Sequence, residues 1–107
     1  MKIANFEAGV VSFVEKEVAP SIPSTLDRFL LWGALASISG KLEQLLVQYQ
    51  PLLVSLGILD ESGINLERLE QVGNAAFTRQ PDVKIYKMTF RQDDFTKLLT
   101  HLKNFAA

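Results

Sequence analysis

The sequence contains no cysteine among its 107 residues, which excludes disulfide bonds, a thiolate nucleophile and Cys-ligated zinc. It also lacks an excess of charge, since 11 basic residues oppose 12 acidic ones and the net charge is −1. No overall field therefore favours binding to nucleic acid or to an anionic membrane. Hydrophobic residues make up 48% of the chain, which is typical of a globular protein. This length and composition predict a single domain over residues 1–107.

Motifs that carry chemistry are missing as well: there is no G-x-G-x-x-G, no phosphate-binding loop and no H-E-x-x-H. The one histidine, His101, is expected on an exposed face of the last helix, where no nucleophile elbow supplies a serine for a catalytic triad. The acidic residues Asp60 and Glu61 lack the spacing of a calcium loop, and Asp93-Asp94 is typical of a helix start. We therefore predict no catalytic residues, no metal site, no cofactor and no enzymatic activity.

The longest uncharged apolar run, residues 29–39, has 11 residues, whereas a bilayer-spanning helix needs about 20. Charged residues flank the run on both sides, with Asp27 and Arg28 before it and Lys41 after it. The pattern predicts a buried helix and no membrane partner. The charged N-terminal residues do not resemble a signal peptide. Together with the absence of cysteine, these features favour a cytoplasmic location.

The chain is predicted to be organised around residues 26–56, in which apolar side chains recur in steps of four and three. This heptad spacing keeps one stripe of a helix facing one partner. The stripe is longer than the rest of a 107-residue monomer can easily bury. Trp32, which lies in this region, is either a core residue or an anchor in an interface with a partner. Small residues such as Gly33, Ser37 and Gly40 predict close packing against the first helix or a second copy. The candidate interface consists of Leu31, Trp32, Leu35, Ile38, Leu42, Leu45 and Tyr49.

Helix boundaries in the first half follow from capping residues and prolines. A first helix is predicted over residues 3–18 with Asn5 as its N-cap, and prolines then form an elbow. Ser24 begins the central helix in a capping-box-like pattern. Pro51 predicts a break near residues 48–50, after which a short helix ends at Gly57.

The second half is predicted to contain a hairpin over residues 57–65, in which Gly63 takes positive φ. Asn65 caps a third helix, and Asp93 caps the last one. Residues 83–90 form a strand that pairs with the hairpin. The predicted fold class is mainly α (α+β), with four to five helices around the central apolar helix and a small antiparallel β-sheet in the C-terminal half.

Basic residues in the C-terminal half allow an alternative function, a small nucleic-acid-binding regulator. Tyr86 and Phe90 would then stack on bases if the strand and the last helix share a face. The competing interpretation places these aromatic rings in the core and the lysines in solvent. The strip consists of Arg79, Lys84, Lys87, Arg91, Lys97 and Lys103.

Several landmarks of the chain resemble a group of small uncharacterised phage and prophage proteins. These are Asn5-Phe-Glu7, Glu17 with Pro20, Lys41-Leu-Glu43, Pro51 with Leu56-Gly-Ile-Leu-Asp60, and Phe90 with Asp93-Asp94. The resemblance covers most of the chain but transfers no activity and no binding residues. It implies a short, soluble accessory protein that associates with itself, either in a bacterial cytoplasm or in association with a virion. We therefore expect a non-enzymatic interaction or assembly protein of phage or prophage origin, self-associating through the central helix.

Overall fold

A computed structural model describes residues 1–22, 24–85 and 88–105, without the side chains of Phe29, Ile85, Met88 and residues 32–39. The described chain is mainly helical, and it has small antiparallel sheets in its C-terminal half, as the sequence predicts. The elements are α1 (Ile3–Phe13), a π-helical segment (Val14–Val18), a 3₁₀ segment (Ala19–Ser21), α2 (Thr25–Gln48), α3 (Gln50–Ser55), β1 (Leu59–Asp60), β2 (Gly63–Ile64), α4 (Leu66–Arg79), β3 (Val83–Ile85), β4 (Met88–Phe90) and α5 (Gln92–Phe105).

Helix α1 begins before its predicted cap, so the assignment of Asn5 as N-cap is wrong. Lys2 occupies the N-cap position in an extended conformation and makes no side-chain capping bond. The reason lies far along the chain. The Met1 amino group donates to the Ile64 carbonyl at 2.9 Å, and the Ile64 N–H donates to the Met1 carbonyl at 2.7 Å. This pairing holds the first residues extended, so the helix starts directly after them.

The boundaries of α2 and α3 confirm the predictions made from local residues. The Ser24 hydroxyl accepts a hydrogen bond from the Asp27 backbone N–H at 3.3 Å. The helix breaks at Tyr49, and Pro51 lies in the first turn of α3, where its missing N–H costs no helical hydrogen bond. Gly57 has φ of +78° and ends α3. Its N–H donates to the Val54 carbonyl and the Ile58 N–H donates to the Leu53 carbonyl, the two bonds of a Schellman motif.

The hairpin β1–β2 and the cap of α4 are also confirmed. Leu59 pairs with Ile64 and Asp60 with Gly63, whose φ is +111°. The Asn65 side chain accepts from the Arg68 N–H at 3.1 Å. Because these signals depend on a few adjacent residues, they can be recognised in the sequence alone.

The predicted strand over residues 83–90 is instead a hairpin in the described chain. β3 and β4 pair antiparallel, with Val83 opposite Phe90 and Lys84 opposite Thr89, and they form a sheet separate from β1–β2. The predicted pairing between this segment and residues 57–65 is therefore wrong. Alternating apolar and polar residues are equally compatible with one long strand and with two short ones. The prediction also covers Tyr86 and Lys87, which lie outside the described residues.

Helix α5 begins at Gln92, one residue before its predicted cap Asp93. At this N-terminus the Asp94 carboxylate accepts a hydrogen bond from the backbone N–H of Arg91 at 2.9 Å. Asp93 lies in the first turn, where an acidic side chain interacts favourably with the helix dipole.

The core of the described residues has two parts, one around the β1–β2 hairpin and one where α5 contacts α1 and α4. One buried cluster is formed by Ile58, Leu59 and Ile64, and α2, α3 and α4 pack partly buried side chains against it. Other buried residues lie on α5, which contacts both α1 and α4. Two helical glycines allow close contact. A Cβ at Gly9 would lie 2.6 Å from Leu102 Cδ2, and a Cβ at Gly73 would collide with the Phe95 ring.

Candidate interaction surface

The seven residues of the predicted interface fall into three groups. Leu31 and Leu42 are half-buried. Leu45 and Tyr49 are exposed, at 49% and 47% of their surface. Their spacing continues to Leu52, which is 54% exposed. The remaining three are Trp32, Leu35 and Ile38, whose side chains lie outside the described residues.

The packing of α2 and α3 explains why the predicted stripe is only partly exposed. The side chains that contact the core are Leu46, Leu53 and Leu56. Leu46 follows Leu45 by one residue, which is a rotation of about 100° around a helix. The core therefore covers the side of the helix next to the predicted stripe. The residues at the C-terminal end of the predicted stripe, Leu45 and Tyr49, therefore lie at the edge of the contact between α2 and the core.

An uncharged exposed surface results at the end of α2 and along α3. Residues 44–59 contain no Asp, Glu, Lys or Arg. Val47 and Val54 add apolar area at 68% and 53% exposure, and exposed glutamines lie between the apolar side chains. Protein interfaces are depleted in charged residues at their centre and enriched in tyrosine. This surface matches that composition.

The small residues of α2 do not all have a packing partner within the monomer. Apart from the backbone of its own helix, no atom of the described residues would lie within 4 Å of a Cβ built on Gly40. Among the described glycines, Gly9 and Gly73 are the ones whose helices pack closely against another helix, and the sequence pattern did not distinguish them from the others.

The sequence-based placement of His101 on an exposed face is wrong. The imidazole is half-buried between α1 and α5, and its Nε2 lies 3.2 Å from the Ser12 hydroxyl. The ring centroid is 5.8 Å from that of Phe13 and 6.1 Å from that of Phe105. A serine nucleophile would also need a group that orients the imidazole. Among the described residues, no hydrogen bond joins a carboxylate to His101. We therefore interpret the pair as a packing contact between α1 and α5.

The basic strip is partly neutralised by carboxylates. Arg91 Nε lies 3.1 Å from Asp82, and Lys103 Nζ lies 2.8 Å from Glu70. Lys84 donates to the hydroxyl of Thr89 across the hairpin at 2.8 Å.

Phe90, one of the two aromatics expected to stack on bases, is half-buried, and its ring centroid is 6.0 Å from that of Phe77. It therefore belongs to the packing of the hairpin on α4. Tyr86 and Lys87 lie outside the described residues. The described part of the strip thus gives no free row of cations beside an exposed ring.

The acidic turn at Asp60 is a structural turn. Its carboxylate accepts from the Ser62 hydroxyl at 2.6 Å and from the Ser62 N–H at 2.8 Å. These bonds lower the pKa of Asp60 below its usual value. Within the described residues, no group of three or more histidine, aspartate and glutamate side chains could hold a metal ion. No described helix combines the length and the apolar character that crossing a membrane requires.

Comparisons of the chain with protein-family models, with curated proteins and with solved structures found no match.

Proposed function

We propose that the protein is a non-enzymatic interaction or assembly protein that associates with itself through α2 and the adjoining α3. The observation that carries this proposal is the exposed, uncharged and largely apolar surface of these helices, on which Leu45, Val47, Tyr49, Leu52 and Val54 are each about half exposed or more. Burying such side chains contributes roughly 25 cal/mol per Å² of apolar surface. Their exposure in the single chain therefore favours a partner.

The charge pattern favours a second copy of the chain as that partner. A surface without charge can face its own duplicate without like-charge repulsion, and residues 44–59 provide such a surface. The resemblance to small phage and prophage proteins supports an accessory role in the assembly of a phage particle or in a bacterial cytoplasm.

Light scattering at micromolar protein concentrations tests this proposal. One chain has a mass of 12.0 kDa, and we expect a mass of at least twice this value that decreases on dilution. A protein that stays at the mass of one chain throughout the micromolar range would contradict self-association. Mixing with duplex DNA and with RNA at low salt tests the alternative function, because phosphate contacts are strongest there.

A further inference from the structure

Helix α2 carries a second stripe with heptad spacing on the side that faces away from the core. Its members follow one another in steps of four and three, and none of them is charged. The outward stripe consists of Leu26, Leu30, Gly33, Ser37, Gly40, Gln44 and Val47. The side chains of Gly33 and Ser37 lie outside the described residues, so the structural evidence comes from the other five.

These five residues are all exposed. Leu26, Leu30 and Val47 are exposed at 67%, 51% and 68%, more than the predicted interface residues Leu45 and Tyr49. Gly40, near the middle, has open space where a side chain would be. Large apolar side chains therefore lie toward both ends of the stripe. Near its centre, Gly40 has no side chain and allows another backbone to approach closely.

The flanks of the outward stripe have opposite charges. Lys41 follows Gly40 and Glu43 precedes Gln44, so the two side chains lie on opposite sides of the stripe, and both are exposed. Within one helix, residues two apart do not face each other. In a parallel pair of helices, the flank of one faces the opposite flank of the other. A second copy in parallel orientation would therefore bring the Lys41 flank toward the partner's Glu43 flank, twice by symmetry.

We infer that two copies of this chain pair through the outward stripe of α2, with their α2 helices parallel. An antiparallel pair would instead bring like flanks together, so that Lys41 and Glu43 would not face each other's flanks. The inference rests on the proposed self-association, and it replaces the predicted interface residues by the opposite side of the same helix.

Two sets of glutamine substitutions locate the interface. The first variant combines Leu26→Gln, Leu30→Gln and Val47→Gln on the outward stripe. The matched control combines Leu45→Gln and Leu52→Gln at the edge of the core contact. All five side chains are about half exposed or more, and glutamine is a good helix former already present at Gln44, so the fold should persist, which circular dichroism checks. We expect light scattering to give a monomer for the first variant and a dimer for the control.

The outcomes distinguish this inference from the proposed function. A wild-type chain that is always monomeric overturns both. If the wild type is a dimer and the outward-stripe variant remains one, the inference is overturned and the proposed self-association stands. A monomeric outward-stripe variant beside a dimeric control supports the inference and self-association through α2, and it excludes Leu45 and Leu52 from the contact.

Cysteine cross-linking tests the orientation, because the chain has no cysteine of its own. In a parallel pair, each stripe position meets itself. Leu26→Cys and Val47→Cys, which stand at the two ends of the stripe, should therefore each give a disulfide-linked dimer under mild oxidation when made separately. Cross-linking only when the two variants are mixed would indicate an antiparallel pair and overturn the inference.

Charge exchange gives an independent measure of orientation. Lys41→Glu alone and Glu43→Lys alone should each weaken dimerisation several-fold, and the double exchange should restore it, because the opposite flanks are then complementary again. A double variant that dimerises more weakly than either single variant would contradict the parallel arrangement.

Discussion

Helices α5 and α2 differ in how their apolar residues relate to the core. In α5, Phe95, Leu99 and Leu102 form one buried stripe, and exposed charged residues such as Lys97 and Lys103 occupy other positions. In α2, none of the described side chains is buried, and apolar side chains are found on more than one side. One apolar side and one charged side determine how a helix packs. Without that contrast, the sequence of α2 does not indicate which side faces the core.

The largest expected contrast between these helices comes from matched leucine truncations. Leu102 is fully buried, whereas Leu45 is 49% exposed. Leu102→Ala should lower the free energy of unfolding by about 2–5 kcal/mol, because it leaves a cavity in the contact of α5 with α1. Leu45→Ala should cost less than about 1 kcal/mol, since little of its contact area is lost. Urea unfolding followed by circular dichroism measures both, and equal losses would contradict the packing described above.

Alanine substitution of two helical glycines should give effects of opposite sign. A side chain at Gly73 would collide with the buried Phe95 ring, so Gly73→Ala should lower the free energy of unfolding by about 1–3 kcal/mol. At Gly40, such a side chain would meet no described atom within 4 Å outside the backbone of its own helix. Gly40→Ala should therefore raise stability by up to about 1 kcal/mol through helix propensity. Dilute samples isolate the monomer, and a loss of stability for Gly40→Ala would show that α2 packs more closely than the structure indicates.

Removal of the α2 cap should have a smaller effect. Ser24→Ala removes the acceptor for the Asp27 N–H and should cost about 1 kcal/mol in thermal or urea unfolding. Ser55→Ala is the control, because the Ser55 hydroxyl donates to the Leu52 carbonyl at an exposed site and its loss should cost less than about 0.5 kcal/mol. Equal effects of the two substitutions would argue against the capping role of Ser24.

The smallest expected effect is a pH dependence at Asp60. The Ser62 hydroxyl and N–H lower its pKa in the folded chain. A depressed pKa contributes stability above the usual value of 3.8, and that contribution is lost as the pH falls through the folded pKa. Carboxyl NMR titration should give a midpoint for Asp60 below 3.8. Ser62→Ala should raise that midpoint, and an unchanged midpoint would contradict the hydrogen-bonding cause.

A structural feature could be predicted from the sequence when the residues that determine it are close together along the chain. Ser24, Gly57 and Asn65 act through their immediate neighbours, and the structure confirms all three. The start of α1 depends on pairing between Met1 and Ile64, and the site of His101 depends on Ser12, which is 89 residues away. No local pattern contains either contact.

The exposed side of α2 could not be predicted from the sequence. Heptad spacing occurs twice on α2, once through Leu31, Leu42 and Leu45 and once through the outward stripe. The choice between them is made by the hairpin residues Ile58 and Ile64, against which Leu46 packs. The sequence signal that could have separated the two stripes is the position of Lys41 and Glu43, which flank the outward one.

Amide hydrogen exchange at two protein concentrations tests most directly whether copies of this chain meet on α2. Association stabilises the bound form by an amount that grows with the concentration of the partner. We expect the exchange of α2 amides, and especially those of residues 40–48, to slow at the higher concentration, with a smaller change in the locally opening amides of α5. Exchange from α2 at the same rate at both concentrations, in the range where the proposal requires a dimer, would contradict self-association through this helix.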